Sequence, residues 1–84
     1  MLTKYIQAAM RRAKYEIFED DGTFYGHIPE CPGVWANEPT LEACREELES
    51  VLEDWILAGV WLHHSIPPLD GIDISMSETP VEAV

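Results

Sequence analysis

The segment Thr40–Leu62, TLEACREELESVLEDWILAGVWL, constrains the fold more than any other stretch of the chain. At 100° per residue its apolar positions gather on one side: Leu41, Cys44, Leu48, Val51, Leu52, Trp55 and Ile56. Glu42, Glu46, Glu49 and Glu53 form a row on the other side, with Glu47 and Asp54 beside them. That is the pattern of an amphipathic α-helix, and its apolar stripe must bury against the rest of the chain. Thr40 is a good N-cap, and Glu42 in the first turn suits the positive end of the helix dipole. The pattern loses coherence at Gly59. Either the helix ends there or Trp61 is an exposed aromatic.

The partners of that stripe lie upstream. In Leu2–Ala13, Leu2, Tyr5, Ile6, Ala9, Met10 and Ala13 recur at helical spacing, which predicts a short amphipathic helix with Lys4, Arg11 and Arg12 exposed. A helix this short needs a docking surface, and the acidic body of a neighbouring subunit is one expectation for it. The period then changes. Tyr15–Glu19 and Thr23–Pro29 flank Asp20-Asp21-Gly22, a hairpin signal. With Asp21-Gly22 as a two-residue loop, Ile17 pairs with Gly26, Tyr15 with Ile28 and Phe18 with Tyr25. One face then carries Tyr15, Ile17, Phe24, Gly26 and Ile28, the natural core side. The other carries Glu16, Phe18, Tyr25 and His27.

Pro29–Gly33 is a turn, and Val34–Asn37 is a third strand with Trp35 on the opposite face from Val34 and Ala36. Ile66-Pro67-Pro68 stops any helix, and Gly71–Ile74 alternates as a last strand. The order α-β-β-β-α-β predicts an α+β fold of two layers. A strand returning after a long helix runs parallel to an earlier one by a right-handed crossover, which gives the sheet order 4-1-2-3 under the long helix. Residues 1–84 then form one domain: a basic helix over 1–13, a core over 15–74 and a tail over 75–84 expected to be mobile.

Charge is distributed unevenly. The first fourteen residues hold four of the five basic side chains and no acid; the rest carry one positive and sixteen negative charges, −15. Such a body repels phosphates, which disfavours direct binding of nucleic acid and favours a basic protein partner. No apolar run is long enough for a membrane span and no signal-peptide pattern opens the chain, so a soluble, cytoplasmic protein is expected. Cys31 and Cys44 are too few for a disulfide framework and read as packing residues.

The run from Tyr15 through Glu19-Asp20-Asp21-Gly22-Thr23-Phe24-Tyr25-Gly26-His27-Ile28-Pro29-Glu30-Cys31-Pro32-Gly33-Val34, then Thr40-Leu41-Glu42-Ala43 and a long acidic helix with Trp55, resembles the HicB-like antitoxin domain. The resemblance covers roughly Tyr15–Ile74. It implies a partial RNase H-like fold: a mixed sheet of three antiparallel strands and one parallel strand under one helix. It also implies the antitoxin half of a type II toxin–antitoxin pair, which occludes a small basic HicA-type ribonuclease toxin. Two features depart from the common pattern. The sequence has no room for the C-terminal DNA-binding domain of many members, and it has a basic N-terminal helix. The alternative is a stand-alone structural or regulatory oligomer of the same fold with no toxin.

Catalytic readings are weaker. Glu19, Asp20 and Asp21 crowd one hairpin tip and are explained by turn chemistry, whereas the RNase H-like resemblance implies metal-binding acids drawn from separate elements, strand interiors included, and the interior of the first strand offers only Glu16. His27, His63, His64 and Cys31 lack metal-ligand spacing, and Ser65 and Cys31 lack a base partner. No enzyme activity, metal or cofactor is therefore expected. The residues expected to meet a partner are Glu42, Glu46, Glu49 and Glu53 on the helix and Phe18, Tyr25 and Trp35 on the sheet. Exposed aromatics on so small a domain favour an interface, either with a toxin or in a homo-oligomer (dimer or higher).

Overall fold

The computed structural model describes residues 2–72. Its elements are α1 (Leu2–Arg11), β1 (Lys14–Ile17), β2 (Phe24–His27), β3 (Trp35–Glu38) and α2 (Leu41–Trp61). Among the described residues the sheet has three antiparallel strands in the order β1-β2-β3. The fold is α+β. No helix among these residues is long and apolar enough to cross a membrane.

The long helix begins where the sequence places it. Thr40 is extended (φ −125°, ψ 158°), and its hydroxyl accepts the Ala43 N–H at 3.1 Å. The helix continues through Gly59 to Trp61, so the second of the two readings holds and Trp61 is 82% exposed. It ends in a Schellman motif: His64 N–H donates to Gly59 O and His63 N–H to Val60 O, with His63 left-handed at φ 58°. A histidine in the position that glycine usually takes leaves no sequence mark of this stop. Gly59 has a packing role instead. A Cβ there would lie 3.3 Å from the buried Ile66 side chain.

The hairpin register differs from the expected one by two residues. Tyr15 pairs with Gly26 and Ile17 with Phe24. The loop has four residues, closed by Phe18 N–H to Thr23 O at 2.8 Å and Gly22 N–H to Phe18 O at 2.7 Å. A two-residue type I′ turn needs positive φ at both centres, but only Gly22 has it here. Asp21 turns its carboxylate back onto the Thr23 N–H and hydroxyl, at 3.0 and 2.7 Å. Those bonds hold its pKa below the ordinary carboxylate value. The type I′ Asp-Gly turn occurs elsewhere. Asp70 (φ 51°) and Gly71 (φ 78°) join Leu69 to Ile72, which exchange backbone hydrogen bonds at 3.0 and 2.7 Å. Gly71 and Ile72, the expected start of a last strand, thus belong to this turn. Asp73, Ile74 and the tail 75–84 lie outside the described residues.

A register shift of two preserves the faces, because side chains alternate with period 2. The inner face is nevertheless covered unevenly. The long helix lies over β3 and β2 and not over β1. Cys44, Leu48, Leu52 and Ile56 of α2 share one buried cluster with Ile28, Cys31, Val34 and Ala36, with Tyr5, Ala8 and Ala9 of α1, and with Ile66 and Leu69. Tyr15 and Ile17, expected beneath the helix, are 36% and 58% exposed, and Leu41 also stays outside. Helix α1 packs along α2 of its own chain, so α2 has α1 on one flank and the β2–β3 half of the sheet on another.

Two arginines fasten α1. Arg12 reaches Asp70 and Glu30, and Arg11 reaches Asp70 at 3.4 Å. The Tyr5 hydroxyl donates to Pro67 O. Arg11 and Arg12, two of the three basic residues expected to be exposed, thus tie α1 to two loops of its own chain. The Arg12 hydrogen bond, then burial working against it and the Arg12 charge, holds the Asp70 carboxyl below its usual value. A depressed acid contributes stability above its unfolded pKa and loses it as pH falls through the folded value. Asp70→Asn is therefore expected to speed hydrogen exchange of the α1 amides at neutral pH while leaving those of β2 unchanged. Acidifying the wild-type chain below the carboxylate range, or raising salt, should loosen α1 in the same way. Equal protection of α1 in both chains at neutral pH and low salt would refute the latch.

Candidate interaction surfaces

The outer face of the sheet carries an aromatic row. Strand alternation puts Phe18, Tyr25, His27 and Trp35 on the side away from the helices. Tyr25 stacks on Phe18 (centroids 5.5 Å apart, 16° between planes), on His27 (5.4 Å) and on Trp35 (6.2 Å). The three expected sheet residues, Phe18, Tyr25 and Trp35, are therefore brought together, with Tyr25 at the centre. Phe18 and Trp35 stay open, at 41% and 55% exposure. Asn37, paired with Tyr25 across β2 and β3, donates to Thr23 Oγ1 and Phe24 O, both at 2.8 Å, and closes the upper rim.

The acidic row lies on the other layer. Glu42, Glu46, Glu49 and Glu53 are all exposed on α2. Glu49 borders a shallow hollow with Arg45 of the same helix and Gln7 and Arg11 of α1, and Glu53 borders Leu2 and Ile6. Half of the row thus lies beside the basic helix of its own chain, while Glu42 and Glu46 face open solvent. The acidic row and the aromatic row belong to opposite sides of the domain. One flat partner surface cannot cover both.

A third surface extends from Trp61, the exposed aromatic offered by the sequence, to leucines that the sequence pattern does not single out. Leu57, Trp61 and Leu62 at the C-terminal end of α2 are 69%, 82% and 56% exposed, and Leu2 of α1 is 51% exposed. Asp54, Leu57, Ala58, Trp61 and Leu62 border one shallow apolar depression. Their spacing, i, i+3, i+4, i+7, i+8, is itself a helical stripe, set about the helix from the buried one. A search for a single apolar face absorbs such residues into loss of pattern.

Burial raises the thiols of Cys31 and Cys44, which keeps them protonated and unreactive. The Tyr15 ring lies across Gly26, where an added Cβ would come within 2.8 Å of it. This burial raises the Tyr15 hydroxyl, with Arg45 opposing. Among the described residues, no three His, Cys, Asp or Glu side chains converge as a metal site.

With this geometry in view, known proteins place the chain. Among curated proteins, none matches it significantly. A solved structure, the crystal structure of TTHA0281 from Thermus thermophilus, is similar over 92% of this chain and 95% of that one, with 40% identity and a TM-score of 0.80. The model of the UPF0150-like family matches residues 4–67, which include most of α1, the three described strands, α2 and the loop that follows it. The chain belongs to the UPF0150-like family.

Proposed function

We propose that this chain is a HicB-like antitoxin module of a type II toxin–antitoxin system, a non-enzymatic cytoplasmic protein that binds and occludes a small basic HicA-type ribonuclease. The observation that carries the reading is the uncovered aromatic row on the sheet of a molecule with net charge −11. Stacked aromatics supply large, rigid anchors at low entropic cost, and the surrounding negative potential draws a basic partner toward them. The acidic residues Glu42, Glu46, Glu49 and Glu53 act in this reading by steering, while Phe18, Tyr25 and Trp35 make the contact. The UPF0150-like family is compatible with this role.

The same reading completes the fold. A strand after the Asp70-Gly71 turn, running beside β1, would give the mixed order 4-1-2-3 of a partial RNase H-like sheet. The β1 edge is open on that side among the described residues. The chain would also self-associate, as a dimer or higher.

A second reading is a stand-alone oligomerising domain without a toxin. The exposed Leu57, Trp61 and Leu62 favour it, because attraction to a basic partner does not explain them. Co-expression with the small open reading frame beside its gene separates the two. The antitoxin reading expects that frame to be toxic alone, harmless with this chain, and recovered in a complex with it. A frame without toxicity, or one whose product never co-purifies, would leave only the oligomer.

A further inference from the structure

We propose that the C-terminal stripe of α2 is a self-association surface on which a second copy packs its own α2 antiparallel about Ala58. The proposal takes up the self-association in the reading above and gives it a surface; it does not depend on a toxin. Three observations carry it. The first is exposure: Leu57 and Trp61 stand 69% and 82% open to solvent at helical spacing. Isolated surface leucines are ordinary, but four large apolar side chains in one region, counting Leu62 and Leu2, form a patch.

The second is shape. Ala58 is exposed at the middle of the stripe, between Leu57 and Trp61 and facing the same depression. A small residue there lets two helices approach to roughly 8–10 Å, with the leucine and tryptophan of each seated beside the alanine of the other. The four side chains offer roughly 400–500 Å² of apolar surface per copy, so pairing buries about 800–1,000 Å² before the polar rim is counted. That falls short of the roughly 1,200 Å² at which stable specific interfaces begin, so the polar rim has to supply the remainder.

The third is the order of polar groups along the stripe, in which the histidines, neutral at pH 7, can donate a hydrogen bond to a carboxylate. Asp54 precedes the stripe and borders its depression, whereas His64 follows it and flanks Ala58 and Leu62. Asp54 is four residues before Ala58, and His63 is five after it. Antiparallel packing about Ala58 therefore lays the acidic end of each stripe against the histidine end of the other. Parallel packing would set Asp54 and Glu53 against their own copies. The surface is thus self-complementary in the isologous sense that a two-fold dimer requires. A basic partner would match only its acidic end.

The test uses the full chain and two independent readouts. Light scattering should give an even multiple of the monomer mass for the wild type, and half that value for Trp61→Glu. Trp61 is too exposed for the fold to depend on it, and an unchanged circular dichroism spectrum checks this. Mild oxidation of Ala58→Cys should yield a covalent dimer, because position 58 meets its own copy at the axis. Ser50→Cys, exposed two turns away on the same helix, should stay monomeric on a non-reducing gel, as should the wild type with its two buried thiols. A monomeric wild type overturns the proposal. So does an assembly whose mass Trp61→Glu leaves unchanged, or one in which Ser50→Cys cross-links and Ala58→Cys does not. Neither readout involves a toxin, so this surface and the antitoxin reading can fail separately.

Discussion

Leu52→Ala is expected to lower the stability of the chain by about 2–5 kcal/mol, the cost of emptying a leucine site in a packed core. Leu52 is fully buried, and in its cluster α1, α2, the sheet and the 66–69 loop meet. Each of those elements is too short to close over a lost side chain by itself, so the cavity term stays. A domain of this size has only about 5–10 kcal/mol in all, which makes the loss a large share of the total. The melting temperature should fall by roughly 10–30 °C. Leu57→Ala, five residues along the same helix, should stay within about 0.5 kcal/mol of wild type in the free chain, because Leu57 is mostly exposed. Thermal melts by circular dichroism decide the matter. A Leu52→Ala shift below about 5 °C, or equal shifts for both variants, would mean that α2 is not seated as described.

That contrast between two leucines also marks how far the sequence could be read. The spacing of Cys44, Leu48, Leu52 and Ile56 fixes the buried stripe of α2, and Thr40 fixes its start; both are local signals, and both hold. The aromatic row on the sheet was legible for a different reason. A strand has only two faces, so even a register wrong by two residues leaves Phe18, Tyr25 and Trp35 on the same side. The Asp-Gly turn rule was sound chemistry applied to the wrong pair. At Asp21-Gly22 the Asp21 carboxylate caps Thr23 and the loop takes four residues, whereas Asp70-Gly71 adopts the two-residue turn.

What stayed hidden is non-local. Charge pattern alone could not show that Arg11 and Arg12 spend their charges on Asp70 and Glu30, because those pairs lie up to 59 residues apart. Helix α2 lies between α1 and the β2–β3 half of the sheet, and Tyr15 and Ile17 on β1 stay exposed. The same packing leaves Glu49 and Glu53 beside a cationic helix and narrows the open acidic surface to Glu42 and Glu46. The stripe at Leu57, Trp61 and Leu62 was obscured because a helix with two apolar faces resembles one with a fading pattern. Its hydrophobic residues cancel around the wheel instead of adding.

Narrowing the acidic face shifts the weight of the binding proposal onto the sheet, and this sets the second large effect. If the proposed toxin partner is recovered, Trp35→Ala is expected to weaken its complex with this chain by at least about 30-fold in Kd, or about 2 kcal/mol, the range of an interface hot spot. Trp35 stacks on Tyr25 from the outer strand β3, so its ring is held in place before any partner arrives and loses little freedom on binding. Being 55% exposed, it contributes little to the fold, and the melting temperature of the free chain should barely move. The loss should appear in the dissociation rate, because an anchor acts after encounter. Glu46→Gln is the complementary variant. An open helix-face charge opposite the anchor layer steers the approach, so its removal should slow association a few-fold at low salt and have no effect at high salt. If Trp35→Ala leaves Kd within about three-fold while Glu46→Gln changes the dissociation rate, the partner sits on the helix layer and the aromatic row serves another surface.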